Sequence, residues 1–201
     1  MGTRNLTVVF VDGEYKVAQY GQWDGYPEGQ GRTCLEFLRD KMDEAKFREA
    51  LKEIAWITPE EYEKRLDDIV NGRPFFNPDD SKVLKVRYPE FHRDTGAEIL
   101  ELIQNGGTTT KLLKNDITLA ADGLFCEWAW VIDLDKRTFE AYEGFRHEPT
   151  TDKDRFYFLR EHEEGSYTCV KKVAEWSIDN LPTKEEFLKA FEQDGEKDAV
   201  N

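Results

Sequence analysis

The fold is set by residues 5–20, which read NLTVVFVDGEYKVAQY. Residues 5–11 are rich in β-branched and aromatic side chains, which favour a strand. Asp12-Gly13 is a strong signal for a two-residue hairpin turn, and residues 14–20 alternate in polarity like a returning strand. Because residues 5–11 are apolar on both faces, we expect this strand to lie inside the sheet with both sides covered.

A second group of strands is predicted from residue 111 onward, where the apolar period changes from helical to two. The strongest strand runs from Leu124 to Leu134 and is followed by a turn at 135–137. Its predicted core face carries Cys126, Trp128, Trp130, Ile132 and Leu134. The other predicted strands are 111–113, 117–120, 138–142, 155–159 and 169–178.

Most predicted helices lie between these two groups of strands. They cover 33–42, 43–54, 58–70 and 94–104, with Thr33, Thr58 and Asp94 as caps, and a last helix starts at Thr183. Residues 73–93 contain three prolines and are predicted to be irregular. Because helices and strands come in runs, we predict an α+β class with a mainly antiparallel sheet, specifically an αββα sandwich. One domain is expected over residues 1–193, with 33–105 as a mostly helical insertion and 194–201 as a polar tail.

The net charge of the chain restricts the kinds of partner that it is expected to bind. Its 201 residues carry a formal net charge of −14, which repels phosphate backbones and anionic membranes. Direct nucleic-acid binding is therefore not expected. No apolar run reaches the length of a membrane span, and the strand-like sequence from Asn5 leaves no room for a signal peptide. Three widely spaced cysteines contain no CxxC pair, so a reducing cytoplasm is the expected location.

The best candidate site is residues 19–31, which read QYGQWDGYPEGQG. A simple turn needs far fewer residues, and these side chains are ones that stack and hydrogen-bond. The predicted binding residues are Arg4, Gln19, Gln22, Trp23, Asp24, Tyr26 and Gln30. The alternative is a structural connection in which Asp24-Gly25 turns and the two aromatics plug the sheet edge. The glycine spacing fits neither a phosphate loop nor a dinucleotide fingerprint, so no cofactor is predicted.

The N-terminal segment Gly2-Thr3-Arg4 resembles the start of N-terminal-nucleophile hydrolases of the proteasome type. The resemblance implies a Gly-Thr bond that is cut, with Thr3 as the nucleophile and its own α-amino group as the base. This chain departs from that pattern twice. Gln19 stands where the family expects an acid, and Leu35 stands near an expected lysine.

The three histidines, His92, His147 and His162, are predicted to be exposed in polar segments. No HExxH or His-x-His spacing occurs, so no metal site is predicted.

Three strings together resemble a family of small uncharacterised proteins of bacteria, phages and fungi. They are GTRNL at 2–6, YGQWDGYPEGQG at 20–31 and WAWVIDLD at 128–135. The resemblance implies a grouping and no activity. Three functions remain open: a binding protein that uses residues 21–31 for a small polar ligand or a protein partner, a Thr3 amide hydrolase, or an acidic phage-type inhibitor of a nucleic-acid enzyme. The sequence does not predict an oligomeric state.

Overall fold

A five-stranded sheet organises the computed structural model, which describes residues 2–163 and 165–192. The strands are β1 (Asn5–Val11), β2 (Glu14–Gly21), β3 (Ala55–Trp56), β4 (Leu112–Leu113), β5 (Trp128–Asp133), β6 (Thr138–Glu143) and β7 (Lys171–Ser177). The order in the sheet is β2-β1-β5-β6-β7, and only the β1–β5 pair is parallel. The predicted α+β class with a mainly antiparallel sheet is confirmed. The αββα sandwich is not, because the second sheet of the described residues is only the short β3–β4 pair.

Six α-helices are described: α1 (Arg32–Glu36), α2 (Glu44–Lys52), α3 (Pro59–Val70), α4 (Pro78–Arg87), α5 (Ile99–Asn105) and α6 (Lys184–Glu192). Wider helical turns at Pro27–Gly31 and Phe37–Lys41 extend α1 on both sides. None of the helices within the described residues is both long and apolar enough to cross a membrane.

Strand β1 is covered on both faces, as its sequence predicted. Val9 and Val11 belong to one buried cluster, and Leu6 and Val8 belong to the cluster on the opposite face. The predicted apolar face of β5 is confirmed for Trp128 to Leu134 and packs under α6. The prediction is wrong for Cys126, which lies before the strand begins and packs in the cluster on the opposite face of the sheet.

Helix α4 corrects the prediction that residues 73–93 are irregular. Pro78 occupies the first helical position, where its missing N–H costs nothing. The Asn77 side chain accepts from the N–H groups of Asp79 and Asp80, and the Asp80 carboxylate accepts from the Asn77 N–H. This capping box starts a helix in a segment whose three prolines predict irregular structure.

Two predicted strands are instead 3₁₀ helices, Ile117–Ala121 and Tyr157–His162. Short apolar runs do not distinguish a strand from a tight helical turn. Asp94 does not cap a helix, because a 3₁₀ turn at Gly96–Glu98 separates it from α5.

A buried ionic network ties β5 and β6 to the segment that follows them. The Arg155 guanidinium lies 2.5 Å from an Asp133 oxygen and 2.9 Å from a Glu140 oxygen, and both carboxylates are buried. The Tyr142 hydroxyl donates to Glu140 at 2.5 Å. Burial opposes ionisation, but the bonds from Arg155 and Tyr142 prevail and hold the pKa of Glu140 below its usual value.

One terminus of each of the five strands lies in the same row at one end of the sheet, which we call the loop end. Asn5 pairs there with Gly21 on one side and Trp128 on the other, and the row continues to Glu143 and Lys171. The connections that leave this edge carry the candidate site.

Candidate functional site

The predicted loop is shorter than its sequence indicated. Residues 22–26 are a non-helical connection, and a helical turn already begins at Pro27, with a kink at Gly29, whose φ of −97° and ψ of −105° are not helical. Thr33 is therefore not a cap. Its hydroxyl lies inside the helical segment and donates to the Gly29 carbonyl at 3.2 Å. Proline at a first helical position again marks the true start.

The glycines of this segment permit close packing. A Cβ on Gly25 would lie 2.7 Å from the Thr3 carbonyl oxygen and 2.9 Å from the Asn5 Cβ. A Cβ on Gly31 would lie 2.5 Å from the Trp130 ring, whose indole N–H donates to the Gly25 carbonyl at 2.8 Å. The glycines therefore serve to press the loop against β1 and β5.

Asn5 anchors the loop from beneath. Its side chain is fully buried, and Nδ2 lies 3.1 Å from the Gly21 carbonyl, 3.2 Å from the Trp23 carbonyl and 3.4 Å from the Thr3 carbonyl. One amide thus holds the end of β2, the loop and the segment that enters β1. Its Oδ1 is buried with no partner among the described residues.

The three glutamines that were predicted to bind a ligand face the protein. Gln30 Oε1 accepts from the Ala97 N–H at 2.7 Å, and its Nε2 donates to a loop carbonyl at 3.3 Å. Gln22 Oε1 accepts from the Tyr20 hydroxyl at 2.5 Å. Gln19 is buried and donates to the Tyr20 carbonyl at 3.3 Å. Gln30 thus ties the loop to the turn before α5, whereas Gln19 and Gln22 bond to Tyr20 on β2. The Gln19 Oε1 atom is buried with no partner among the described residues.

Trp23, Asp24 and Tyr26 remain on the surface, with exposed fractions of 44% for Trp23 and 40% for Tyr26. They do not plug the sheet edge, as the structural alternative required. The Tyr26 hydroxyl donates to Asp24 Oδ1 at 2.9 Å, and this bond to the carboxylate raises the pKa of Tyr26. Asp24 has a positive φ of 55°, which few residues other than glycine adopt. The loop therefore exposes two aromatic rings, while Asn5 and Trp130 hydrogen-bond to its backbone.

More exposed apolar side chains lie at the same end of the sheet. Phe125 precedes β5 and is 45% exposed, and Phe145 follows β6 and is 48% exposed. The Arg4 guanidinium stacks over the Phe125 ring at 4.3 Å, and the Arg4 backbone N–H donates to Glu127 at 3.2 Å. We call the exposed faces of Trp23, Tyr26, Phe125 and Phe145 the aromatic end.

A Ser-His-Asp arrangement lies behind Trp23. Ser81 Oγ is 2.9 Å from His92 Nε2, His92 Nδ1 is 3.7 Å from Asp94 Oδ2, and the Trp23 indole donates to Asp94 Oδ1 at 3.0 Å. His92 is only 4% exposed, so the prediction of an exposed histidine is wrong for this position. Burial lowers its pKa, and His92 is therefore neutral at pH 7.

The hydrogen bonds around His92 do not make it a base for Ser81. The Asp94 backbone N–H donates to Nδ1 at 3.2 Å, so Nδ1 holds the lone pair and Nε2 carries the proton. A serine nucleophile needs the opposite tautomer, with a free Nε2 and an Nδ1–H that donates to the carboxylate. The chain of bonds instead links α4 to the turn at Asp94, and from there to Trp23.

Thr3 lies at the loop end beside the glycine loop, and its carbonyl accepts from the Gly25 N–H at 3.0 Å. Its hydroxyl makes no hydrogen bond to another described residue. Gly2 packs against the Trp23 ring so closely that a Cβ there would lie 2.6 Å from it. The segment that the hydrolase hypothesis would cut is thus packed against the loop.

The other histidines, His147 and His162, are exposed as predicted. All three cysteines are buried, and burial raises the pKa of Cys34 to about 12 and of Cys169 to about 11. Over residues 2–163 and 165–192, no group of three or more His, Cys, Asp or Glu side chains is placed to hold a metal ion.

Sequence reasoning missed Asn5, Asp94 and Phe125 as parts of this region. Asn5 carried a signal, because a polar residue opens an otherwise apolar strand and buried amides need partners. Phe125 falls within the predicted strand 124–134, but β5 starts three residues after it, at Trp128. Asp94 and Trp23 are 71 residues apart in sequence, and no local pattern indicates their contact.

No protein-family model, curated protein or solved structure matches this chain. The resemblance of residues 20–31 to an uncharacterised family therefore stays a prediction.

Proposed function

We propose that this chain is a binding protein and that the aromatic end is the surface that docks a protein partner. The observation that carries the proposal is the exposure of Trp23 and Tyr26 on a loop that Asn5 and Trp130 hold from beneath. Large exposed aromatics on rigid backbone lose little conformational entropy on binding, and such side chains dominate the energy of protein interfaces.

The small-polar-ligand alternative has weaker support. It relied on Gln19, Gln22 and Gln30 as readers of amide or carbonyl groups, and these side chains bond to the protein itself. What the loop offers outward is two ring faces and the Asp24 carboxylate. That surface is better suited to apolar and cationic side chains of another protein.

The charge of the chain supports a basic partner. The net charge of −14 accelerates association with a cationic surface and repels acidic ones. Asp24 and Glu28 add exposed carboxylates beside the two aromatic rings. The third hypothesis, an acidic inhibitor of a nucleic-acid enzyme, is one special case of such a partner.

The test is site-specific photocrosslinking in the cells that express the protein. A photoreactive phenylalanine analogue replaces Tyr26 in one variant and Phe125 in a second. A third variant carries it at Phe158, which is equally exposed but packs on Tyr15 near the opposite end of β2. Circular dichroism and thermal melting establish that each variant is folded.

The proposal expects the same protein adduct from positions 26 and 125 and none from 158. Binding of that partner, once purified, should weaken about tenfold or more in Trp23→Ala, as for an aromatic hot spot. A dimer-sized adduct would identify the partner as a second copy of this chain. Adducts that form equally at all three positions, or at none, would contradict the proposal.

A further inference from the structure

A separate cleft lies between α3, α4 and the turn that follows α4. Its volume is about 550 Å³, within the range of small-molecule sites. The walls are mainly apolar and are formed by Tyr62, Leu66, Phe76, Leu84 and Phe91. Four polar side chains also line the cleft: Asn77, Ser81, His92 and Arg93. Ser81 and His92 are bonded to each other, and Arg93 follows His92 in the chain.

The polar side of the cleft presents donors. Because His92 Nδ1 accepts from a backbone N–H, its Nε2–H donates to Ser81 Oγ. The Ser81 hydroxyl proton then has no acceptor among the described residues and is available to a ligand. No protein group within the described ranges competes for this proton, and Ser81 itself is only half-buried.

Arg93 supplies the charge. Its side chain is 61% exposed, and the guanidinium makes no hydrogen bond within the described part of the chain. The Asp94 carboxylate lies 3.9 Å from Nε, too far for a hydrogen bond, so the N–H groups of the fork remain available. An unbonded guanidinium fork is suited to two parallel bonds with a carboxylate. It is notable as a local cation in a chain of net charge −14.

We propose that this cleft binds a small monocarboxylic acid with an aliphatic or aromatic body. The carboxylate accepts from Arg93 and Ser81, and the body packs against the apolar wall of Tyr62, Leu66 and Phe91. A hydroxyl donor and a guanidinium that line the same apolar cleft favour a ligand with one anionic end. This inference is independent of the aromatic end and of its partner.

The experiment compares two probes of similar shape, octanoate and 1-octanol, by isothermal titration calorimetry and saturation-transfer NMR. The charge variant is Arg93→Gln, which is exposed and should not disturb folding. Its matched control is Arg87→Gln, since Arg87 stacks on Tyr88 outside the cleft. A filling variant, Leu66→Trp, blocks the apolar wall and is checked for folding by circular dichroism.

We expect wild type to bind octanoate more tightly than octanol. Arg93→Gln should weaken octanoate about tenfold and leave octanol unchanged, because only the charge-assisted bonds are lost. Arg87→Gln should behave as wild type, and Leu66→Trp should weaken both probes. The proposal is overturned if octanoate does not bind at millimolar concentration, if Arg93→Gln has no effect, or if octanoate binds the folded filling variant as well as wild type.

Discussion

Replacing Asn5 with alanine tests whether one buried amide holds the aromatic end in place. Asn5 Nδ2 has two protons for three carbonyl oxygens at 3.1 to 3.4 Å, so we count two hydrogen bonds. Their net contribution is about 2 kcal/mol. The Thr3 and Trp23 carbonyls keep other donors, the Gly25 N–H and Gln30 Nε2, so the substitution does not leave them unbonded. Removing the unpartnered Oδ1 offsets part of this cost. We therefore expect Asn5→Ala to lower the free energy of unfolding by about 1–2 kcal/mol.

The assay is urea unfolding followed by tryptophan fluorescence and by circular dichroism. Asn180→Ala is the matched control, since Asn180 is exposed and its loss should change stability by less than about 0.5 kcal/mol. Asn5→Asp keeps the size but faces the carbonyls with an anion. Burial next to carbonyl oxygens raises the pKa of the new carboxyl at position 5 in the folded protein, which therefore binds a proton more tightly than the unfolded chain. The loss in the free energy of unfolding should grow as the pH rises above the ordinary pKa of Asp.

The reasoning is refuted if Asn5→Ala costs less than about 1 kcal/mol, the net contribution of a single hydrogen bond. It is also refuted if Asn5→Asp is as stable as wild type at pH 7. Either result would mean that the carbonyls of Gly21 and Trp23 need no donor from beneath, and that the loop is held by other contacts.

Three further predictions concern the core, and one concerns the chain start. Arg155→Leu leaves two buried carboxylates unpaired and should cost about 3–5 kcal/mol in urea unfolding at pH 7, with a smaller penalty at acidic pH where the acids are protonated. The lowered pKa of His92 means that the unfolded chain takes up its proton first, so stability should fall as the pH drops below the ordinary 6.5, and His92→Gln should reduce this loss in unfolding curves measured from pH 7.5 to 5.5. The three buried thiols should react with a disulfide reagent only after urea is added, and rapid labelling of the native protein would contradict their burial. Because Gly2 packs against the loop, we expect the Gly2–Thr3 bond to remain uncut, and intact-mass spectrometry of the purified protein measures this. A mature chain that starts at Thr3 would support the hydrolase hypothesis instead.

Local signals predicted much of the framework. The Asp12-Gly13 turn adopts the two left-handed conformations that its residues favour, with φ of 54° and 77°. Thr58 caps α3 as its sequence indicated. These features depend on neighbours within a few residues, so a single sequence is sufficient to predict them.

The same rules failed where a residue has two local interpretations. The three prolines of residues 73–93 predict an irregular segment, but Pro78 begins α4, and Pro27 begins a helical turn inside the predicted loop. Residues 117–120 had enough apolar character for a strand but form a 3₁₀ turn. The choice depends on what packs against the segment, which the local pattern does not contain.

The sequence by itself determined the α+β class and the covered strand β1, and it indicated the segment around Trp23 as a candidate site. Only the tertiary structure decided which groups of that segment face outward. It turned the glutamines inward, left the Trp23 and Tyr26 rings exposed, and brought Asp94 to the Trp23 indole. The physical reason is that the bonds which fix Gln30 and Trp23 join them to Ala97 and Asp94, 67 and 71 residues away, and no local pattern indicates such partners.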